Sequence, residues 1–287
     1  WVFEGEEEFP ALGLRAKVQI GDFVELGRGL VIDGTVQLTE AIDALYTTAL
    51  VFPAALAAPS RRRWLIIGGG DGATPREALR FRDTESVVLA DLSRTVVERT
   101  QALIPSFWAG CQDDPRLRIE HRDAFAVLTE WAERGEQADI VVYDLSDPGN
   151  EECNPFADSS ADHLYTEHAF RLARRCLRPG GIFVGQMAEL SHLRYRDHRR
   201  NLRLLRSLFK EVRSYRTYLE PFGYWESFLI ACDPLAPGWD PSSGREVEAR
   251  LAEIYDGDCE ETYSATWHEQ LFALPPFLQR RLAANDD

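Results

Sequence analysis

The chain has 287 residues, 45 % hydrophobic and 28 % charged, which suits a globular protein of one large domain or one domain with a small companion. Its 47 acidic against 32 basic residues give a formal charge of -15, a field that repels nucleic acid and anionic lipid and gathers cations. No apolar run approaches the ~20 residues that cross a bilayer, and the opening WVFEGEEEFP has no basic region followed by an apolar stretch. The expected setting is the cytoplasm, with neither nucleic acid nor membrane as partner. Five cysteines, Cys111, Cys153, Cys176, Cys232 and Cys259, are scattered without CxxC spacing, so neither a disulfide framework nor a metal site is expected.

From Leu12 to Thr39 short apolar and polar stretches alternate, punctuated by Gly21, Gly27, Gly29 and Asp33-Gly34. That pattern predicts a small antiparallel sheet of hairpins. A helix is predicted from Glu40 to Ala57. From Trp64 the texture changes: the strands WLIIGG, SVVLAD, RLRIEHRD, DIVVYD and GGIFVGQM alternate with helices predicted from Thr74, Arg94, Phe125 and Tyr165. Apolar strands separated by amphipathic helices imply a doubly wound α/β sheet, which binds ligands at the carboxyl ends of its strands. A further helix from Asn201 and strands around VRSYRTYL and WESFLIACD follow. Two units are expected, an N-terminal β-hairpin domain over 1–52 and a Rossmann-like domain over 53–287.

The glycine turn GGGDG between Gly68 and Gly72 carries an acid, Asp71. Phosphate-cradling turns offer backbone N–H groups and avoid negative charge. Asp71 therefore argues against a phosphate, and the turn does not match GxGxxG. Asp91 ends the second strand of the wound sheet, where an acid hydrogen-bonds ribose hydroxyls. Asp123 ends the third, where a carboxylate accepts from an adenine amine. Any one of these acids alone reads as a helix cap. Three at successive strand ends favour an S-adenosyl ligand, whose sulfonium suits a negative field.

The fourth strand runs out into VVYDLSDPGN, with Asp144 closing it and Asp147 three residues on. An alkylammonium of pKa ~10.4 carries no free lone pair at neutral pH. Two carboxylates can bind it, orient it and take its proton as nitrogen attacks carbon. The leaving group is then a neutral thioether, and Asp71 has a second cation to hold: an amine on the chain attached to the sulfonium.

The segments VIDGTVQLTEAIDALY, GGGDGATPRE, VLADLSRTVVE, DPRLRIEHRDAF, YDLSDP, LYTEHAF, PGGIFVGQ and FALPPFL, in order over almost the whole chain, resemble the polyamine aminopropyltransferases, the spermidine and spermine synthase family. The resemblance implies a small N-terminal antiparallel β domain on a Rossmann-like, class I methyltransferase-type doubly wound sheet, assembled as a homodimer or homotetramer. It implies decarboxylated S-adenosylmethionine as co-substrate, a small cationic polyamine such as spermidine or putrescine as acceptor, and no metal. It places Gln37, Asp91, Asp123 and Ala124 on the donor nucleoside, beside Gly68 and Gly70, and Asp71 on the aminopropyl ammonium. Asp144 becomes the general base, and Asp147, Tyr46 and Gln186 place the acceptor.

The chain departs from that pattern in places. The family's Tyr-His-Glu is Tyr46-Thr47-Thr48 here, which leans towards a longer acceptor than putrescine. LEPFGYWESF replaces a Pro-Thr-Tyr-Pro segment, putting Phe222 where a substrate-facing tyrosine is expected and leaving Trp225 and Glu226 interchangeable in role. The acidic stretch after Asp147, with Glu151, Glu152, Asp158 and Asp162, reads as a solvated loop. His121, His163, His168, His192, His198 and His268 show no ligand spacing and are given no role; Trp108, Trp131 and Trp267 read as core or interface. Two other functions fit parts of the pattern. One is a small-molecule N-methyltransferase using intact S-adenosylmethionine, which has no need of Asp71. The other is a binding protein that has lost turnover.

Overall fold

A computed structural model describes residues 1–147, 163–235, 238–257 and 262–284. The first sheet has four strands in sequential antiparallel order: β1 (Phe3–Phe9), β2 (Leu14–Phe23), β3 (Gly27–Ile32) and β4 (Thr35–Thr39). It starts earlier than the hairpins expected from Leu12. The reason is charge: β1 reads FEGEEEF, and its glutamates hide the strand pattern. They are held as an edge strand is held, Glu6 by Arg15 at 3.2 Å and Glu4 by Lys17 at 3.1 Å, both on β2.

Helix α1 (Asp43–Ala57) follows and is buried from Tyr46 to Leu56. Residue 52, the expected end of the first domain, lies inside it. Then come β5 (Arg63–Gly68), α2 (Ala73–Leu79), β6 (Ser86–Ala90), α3 (Arg94–Leu103), the short α4 (Pro105–Trp108), β7 (Leu117–Glu120), α5 (Ala124–Arg134), β8 (Ala138–Asp144), α6 (Glu167–Arg175), β9 (Leu177–Glu189), α7 (Arg196–Leu208), β10 (Glu211–Leu219) and β11 (Tyr224–Cys232). Helices α8 (Val247–Ile254), α9 (Ala265–Phe272) and α10 (Pro276–Ala283) complete the described chain. Helix α7 begins five residues before the expected Asn201, because His198 and Arg199 already lie on its buried face.

The second sheet has the order β10-β11-β9-β8-β5-β6-β7. Strands β7, β6, β5, β8 and β9 are parallel, and the β10–β11 hairpin adds antiparallel to β9. Alternation along β5 shows how both faces are covered. Trp64 and Ile66 join the apolar layer that includes α1, α2 and α9 residues, and Leu65 and Ile67 join the layer formed with α5, α6 and α7. The sheet reverses its order between β5 and β8, where doubly wound folds open a crevice at the strand ends. Trp108 and Trp131 are core residues, as expected, and Trp267 packs partly buried against the core. No helix among the described residues is long and apolar enough to cross a membrane.

Candidate active site

The crevice holds two adjoining cavities of about 140 Å³ each. One lies over the ends of β5 and β6 and is lined by Gly68, Gly70, Asp71, Asp91, Asp123, Ala124 and Asp144; the other is lined by Asp147, Gln186, Phe222, Tyr224 and Glu226. Gln37 and Tyr46 line both. The structure thus brings every expected site residue to one of two connected pockets.

The glycine turn is shaped by what packs against it. Gly70 donates its N–H to Asp91 Oδ2 at 2.8 Å, and a Cβ there would stand 2.6 Å from the Asp91 carboxyl carbon. Gly72 sits at φ +102°, and a Cβ there would meet the Trp108 ring at 2.3 Å. A side chain at either position would push the turn off the strand ends. Asp71 bends back so that its Oδ1 accepts from Ala73 N–H at 2.8 Å, at the start of α2.

Asp91 also accepts from Ser93 N–H at 2.8 Å. Asp123 lies beyond the strand end assigned to it, because β7 stops at Glu120. It is the N-cap of α5, accepting from Phe125 N–H at 2.9 Å, so cap and cavity lining coincide in one residue. His163, given no role from sequence, lines the same cavity with Nε2 3.0 Å from Asp123 Oδ1. Nothing in a lone histidine's spacing signals such a contact across 40 residues.

Asp144, the last residue of β8, has both carboxylate oxygens engaged. Tyr46 donates to Oδ1 and Thr74 to Oδ2, each at 2.6 Å. Thr74 was not singled out in the sequence, where it passes for an ordinary helix-start residue. Asp147 accepts from Gln186 Nε2, and Gln186 Oε1 in turn accepts from Tyr165 O–H at 2.8 Å. Gln37 donates to Thr35 C=O at 3.1 Å and accepts from the Ser146 hydroxyl at 3.2 Å.

Trp225 and Glu226 are no longer interchangeable. Along β11, Tyr224 and Glu226 face the second cavity, and Glu226 is 1 % exposed. Trp225 points out, 39 % exposed, with the Arg216 guanidinium 4.0 Å from its ring centre. An irregular register of β11 on β9 between Glu226 and Phe228 accompanies this placement, and a period-two reading alone leaves the face undecided. The Tyr46-Thr47-Thr48 departure also needs correction as an argument about the acceptor. Thr47 and Thr48 do not line either cavity; their hydroxyls donate to Asp43 at 3.1 Å and to Ala44 C=O at 2.6 Å. The acidic residues Glu151, Glu152, Asp158 and Asp162 lie outside the described residues.

Electrostatically the first cavity is a set of acids in want of cations, while Arg194 and Arg196 stand among the acids that line the second. Among the described residues that line the first cavity there is no lysine or arginine. Burial, reinforced by the nearby Asp144 charge, pushes Asp71 up to about 8 from an ordinary 3.8. Burial raises Asp91 and Asp147 to about 6, and it raises Asp144 against the opposing bonds from Thr74 and Tyr46. Burial and the Asp147 charge hold Glu226 well above the usual carboxylate range. No group of three or more His, Cys, Asp or Glu among the described residues is placed to hold a metal ion.

These shifts carry a sign for stability. Each folded-state pKa lies above the unfolded value, so the folded protein binds more protons across the window from about pH 4 to about 8, and stability is lost as pH rises through it. The thermal midpoint of the free protein is expected to fall between pH 5 and pH 8, with Asp71→Asn making the slope shallower. Calorimetric scans over a pH series check this; a wild-type slope unchanged by the substitution would remove Asp71 from the account.

The fold and site together define a Rossmann-type protein with an acid-lined pocket at the ends of its strands, joined to a second pocket that also carries buried acids. The chain belongs to the spermine/spermidine synthase domain family, whose pattern matches residues 43–234. Among its relatives, polyamine aminopropyltransferase 1 of Hyperthermus butylicus is 36 % identical over 227 residues, covering 79 % of this chain and 74 % of the relative. Polyamine aminopropyltransferase 2 of Pseudomonas aeruginosa is 35 % identical over 247 residues, 84 % of this chain and 68 % of the relative. The fold matches spermidine synthase from Thermotoga maritima with a TM-score of 0.80 at 22 % identity, over 98 % of this chain and 87 % of that one. A spermidine synthase bound to the transition-state analogue AdoDATO matches at TM-score 0.80 and 23 % identity, with the same coverage.

Proposed function

We propose that the chain transfers the aminopropyl group of decarboxylated S-adenosylmethionine to an amine nitrogen of a polyamine, releasing 5'-methylthioadenosine. The observation that carries the reading is the junction of the cavities. Asp71, Asp91 and Asp144 on one side and Asp147 and Glu226 on the other pair with no lysine or arginine among the described residues, although Arg194 and Arg196 also line the second cavity, and Asp144, held by Tyr46 and Thr74, stands at the first cavity's border with the second. The nucleoside lies over Asp91 and Asp123, with Gly68, Gly70 and Ala124 beneath it, and Asp71 receives the aminopropyl ammonium. The acceptor enters along Gln37, Tyr46, Asp147, Gln186 and Phe222. Its attacking nitrogen gives a proton to Asp144 as the C–N bond forms and the C–S bond breaks, and sulfur leaves with the bonding pair as a neutral thioether. We place the enzyme in the cytoplasm as a homodimer or homotetramer, acting without a resident cofactor or metal, and take its N-terminal sheet and wound sheet as two units.

We assign the acceptor as a polyamine longer than putrescine, because Asp147 and the buried Glu226 both line the second cavity and offer it two carboxylates. Incubation with decarboxylated S-adenosylmethionine and a panel of putrescine, cadaverine, agmatine, spermidine and norspermidine, with products identified by mass and chromatography, tests both parts. No aminopropylated product from any amine would sink the reaction, and exclusive use of putrescine would sink the assignment of length. Glu226→Gln is expected to raise KM for a triamine about tenfold, the scale of one hydrogen bond to a charged group, and KM for putrescine far less. Equal changes for both amines would place Glu226 outside acceptor selection.

A further inference from the structure

We propose that the buried ion pair between Arg76 and Asp43 is a positioning device for Asp144: it braces the first turns of α1 and α2 so that Tyr46 and Thr74 meet the two carboxylate oxygens together. The inference rests on the reading of Asp144 as the base.

Each oxygen of Asp144 depends on a different helix, Oδ1 on Tyr46 of α1 and Oδ2 on Thr74 of α2. Neither helix start is secured by its own N-cap residue. The N-cap positions are Ile42 and Gly72, and neither supplies a side-chain cap; at α2 one first-turn N–H, that of Ala73, is taken by Asp71, and the other first-turn groups lack the usual side-chain restraint. In its place Arg76, two residues past Thr74, forks onto Asp43, three residues before Tyr46. Its Nη1 donates to Oδ2 at 2.7 Å and its Nη2 to Oδ1 at 3.0 Å. A two-pronged guanidinium–carboxylate pair fixes both a distance and a plane.

The pair is itself held from four sides. Arg76 Nη1 also donates to Ser106 C=O and Phe107 C=O at 3.1 Å, Arg76 Nε donates to Glu77 at 2.8 Å, and the Thr47 hydroxyl donates to Asp43 at 3.1 Å. Arg76 is 7 % exposed and Asp43 9 %. A buried pair of this kind is weak evidence for stability, since desolvation offsets its attraction. Its value here is geometric. Thr47, one of the positions where the chain departs from the family pattern, belongs to this brace.

The donor nucleoside's acids, Asp91 and Asp123, follow β6 and cap α5, and no hydrogen bond of the brace goes to either of those elements. Loosening it is therefore expected to change the rate and leave nucleoside affinity alone. Asp43→Asn and Arg76→Lys are each expected to lower kcat between about tenfold and about a hundredfold, the scale of an ångström-sized misplacement. Affinity for 5'-methylthioadenosine stays within about twofold, because no direct contact is lost. The decisive comparison is made in a Tyr46→Phe/Thr74→Val background, where the positioned hydroxyls are gone and Asp43→Asn is expected to change kcat by less than about twofold. Equal fold-losses in the two backgrounds, or wild-type kcat in both single variants, would overturn the proposal. Should Asp43→Asn fail to fold by circular dichroism, Thr47→Val keeps the ion pair and removes one bond to it; its smaller loss of kcat must likewise vanish in the double background, and persistence there overturns the proposal too. Wild-type turnover by Asp144→Asn would instead fail the base reading, which separates that failure from this one.

Discussion

Asp144→Asn is expected to keep the nucleoside and lose most of the transfer. The amide preserves the shape, and its oxygen and nitrogen remain near Tyr46 and Thr74, so 5'-methylthioadenosine binding by calorimetry stays close to wild type. What the proposed reaction loses is its proton acceptor, and general-base removal costs roughly a factor of 100 to 10,000 in rate. Single-turnover measurement with donor and acceptor both saturating isolates the step. A variant that turns over at the wild-type rate would show that the acceptor's proton leaves by another route.

Asp71→Asn is expected to erase the enzyme's choice of donor. The aminopropyl chain ends in an ammonium, whereas intact S-adenosylmethionine brings a carboxylate as well, which Asp71 repels. Taking one close charge contact as about 2–3 kcal/mol, the wild-type preference for the decarboxylated donor falls by about a hundredfold in the variant. Because burial and Asp144 push Asp71 up to about 8, the free enzyme carries a proton there at neutral pH. An arriving ammonium expels it. Donor binding in the wild type is therefore expected to release a proton, seen as a calorimetric enthalpy that depends on the buffer, and Asp71→Asn should lose that dependence. Tighter binding of intact S-adenosylmethionine by the wild type would favour methyl transfer instead.

The strands that proved legible were those with one unbroken signal. WLIIGG, SVVLAD and DIVVYD are apolar on both faces, as buried parallel strands must be, and the acids that close them follow from that register. Strand β1 was not legible, because an edge strand made of glutamates paired to Arg15 and Lys17 looks like a solvated run. Tyr46 and Asp147 were found through motifs. Thr74 and His163 were not, because their partners lie 70 and 40 residues away and a hydroxyl or an imidazole has no pattern of its own. Glu226 was seen but not placed, since the register irregularity beside it decides which of two neighbours faces inward. The meaning given to Thr47 and Thr48 was misplaced for a related reason: a position in a motif does not say whether a side chain reaches the cavity or turns back into its own helix.

One wall of the first cavity is made by Phe9, Ala16, Val18, Leu30 and Ile32, all from the small N-terminal sheet. The wound sheet supplies the acids, and this apolar wall supplies the insulation around them. Without it water would reach Asp71 and Asp91, their charges would be screened, and their proton affinities would return towards those of ordinary surface carboxylates. In the proposed reaction the small sheet thus acts on the chemistry without contributing an acid or base to it: the low dielectric it maintains would make an incoming ammonium worth more than the proton that leaves.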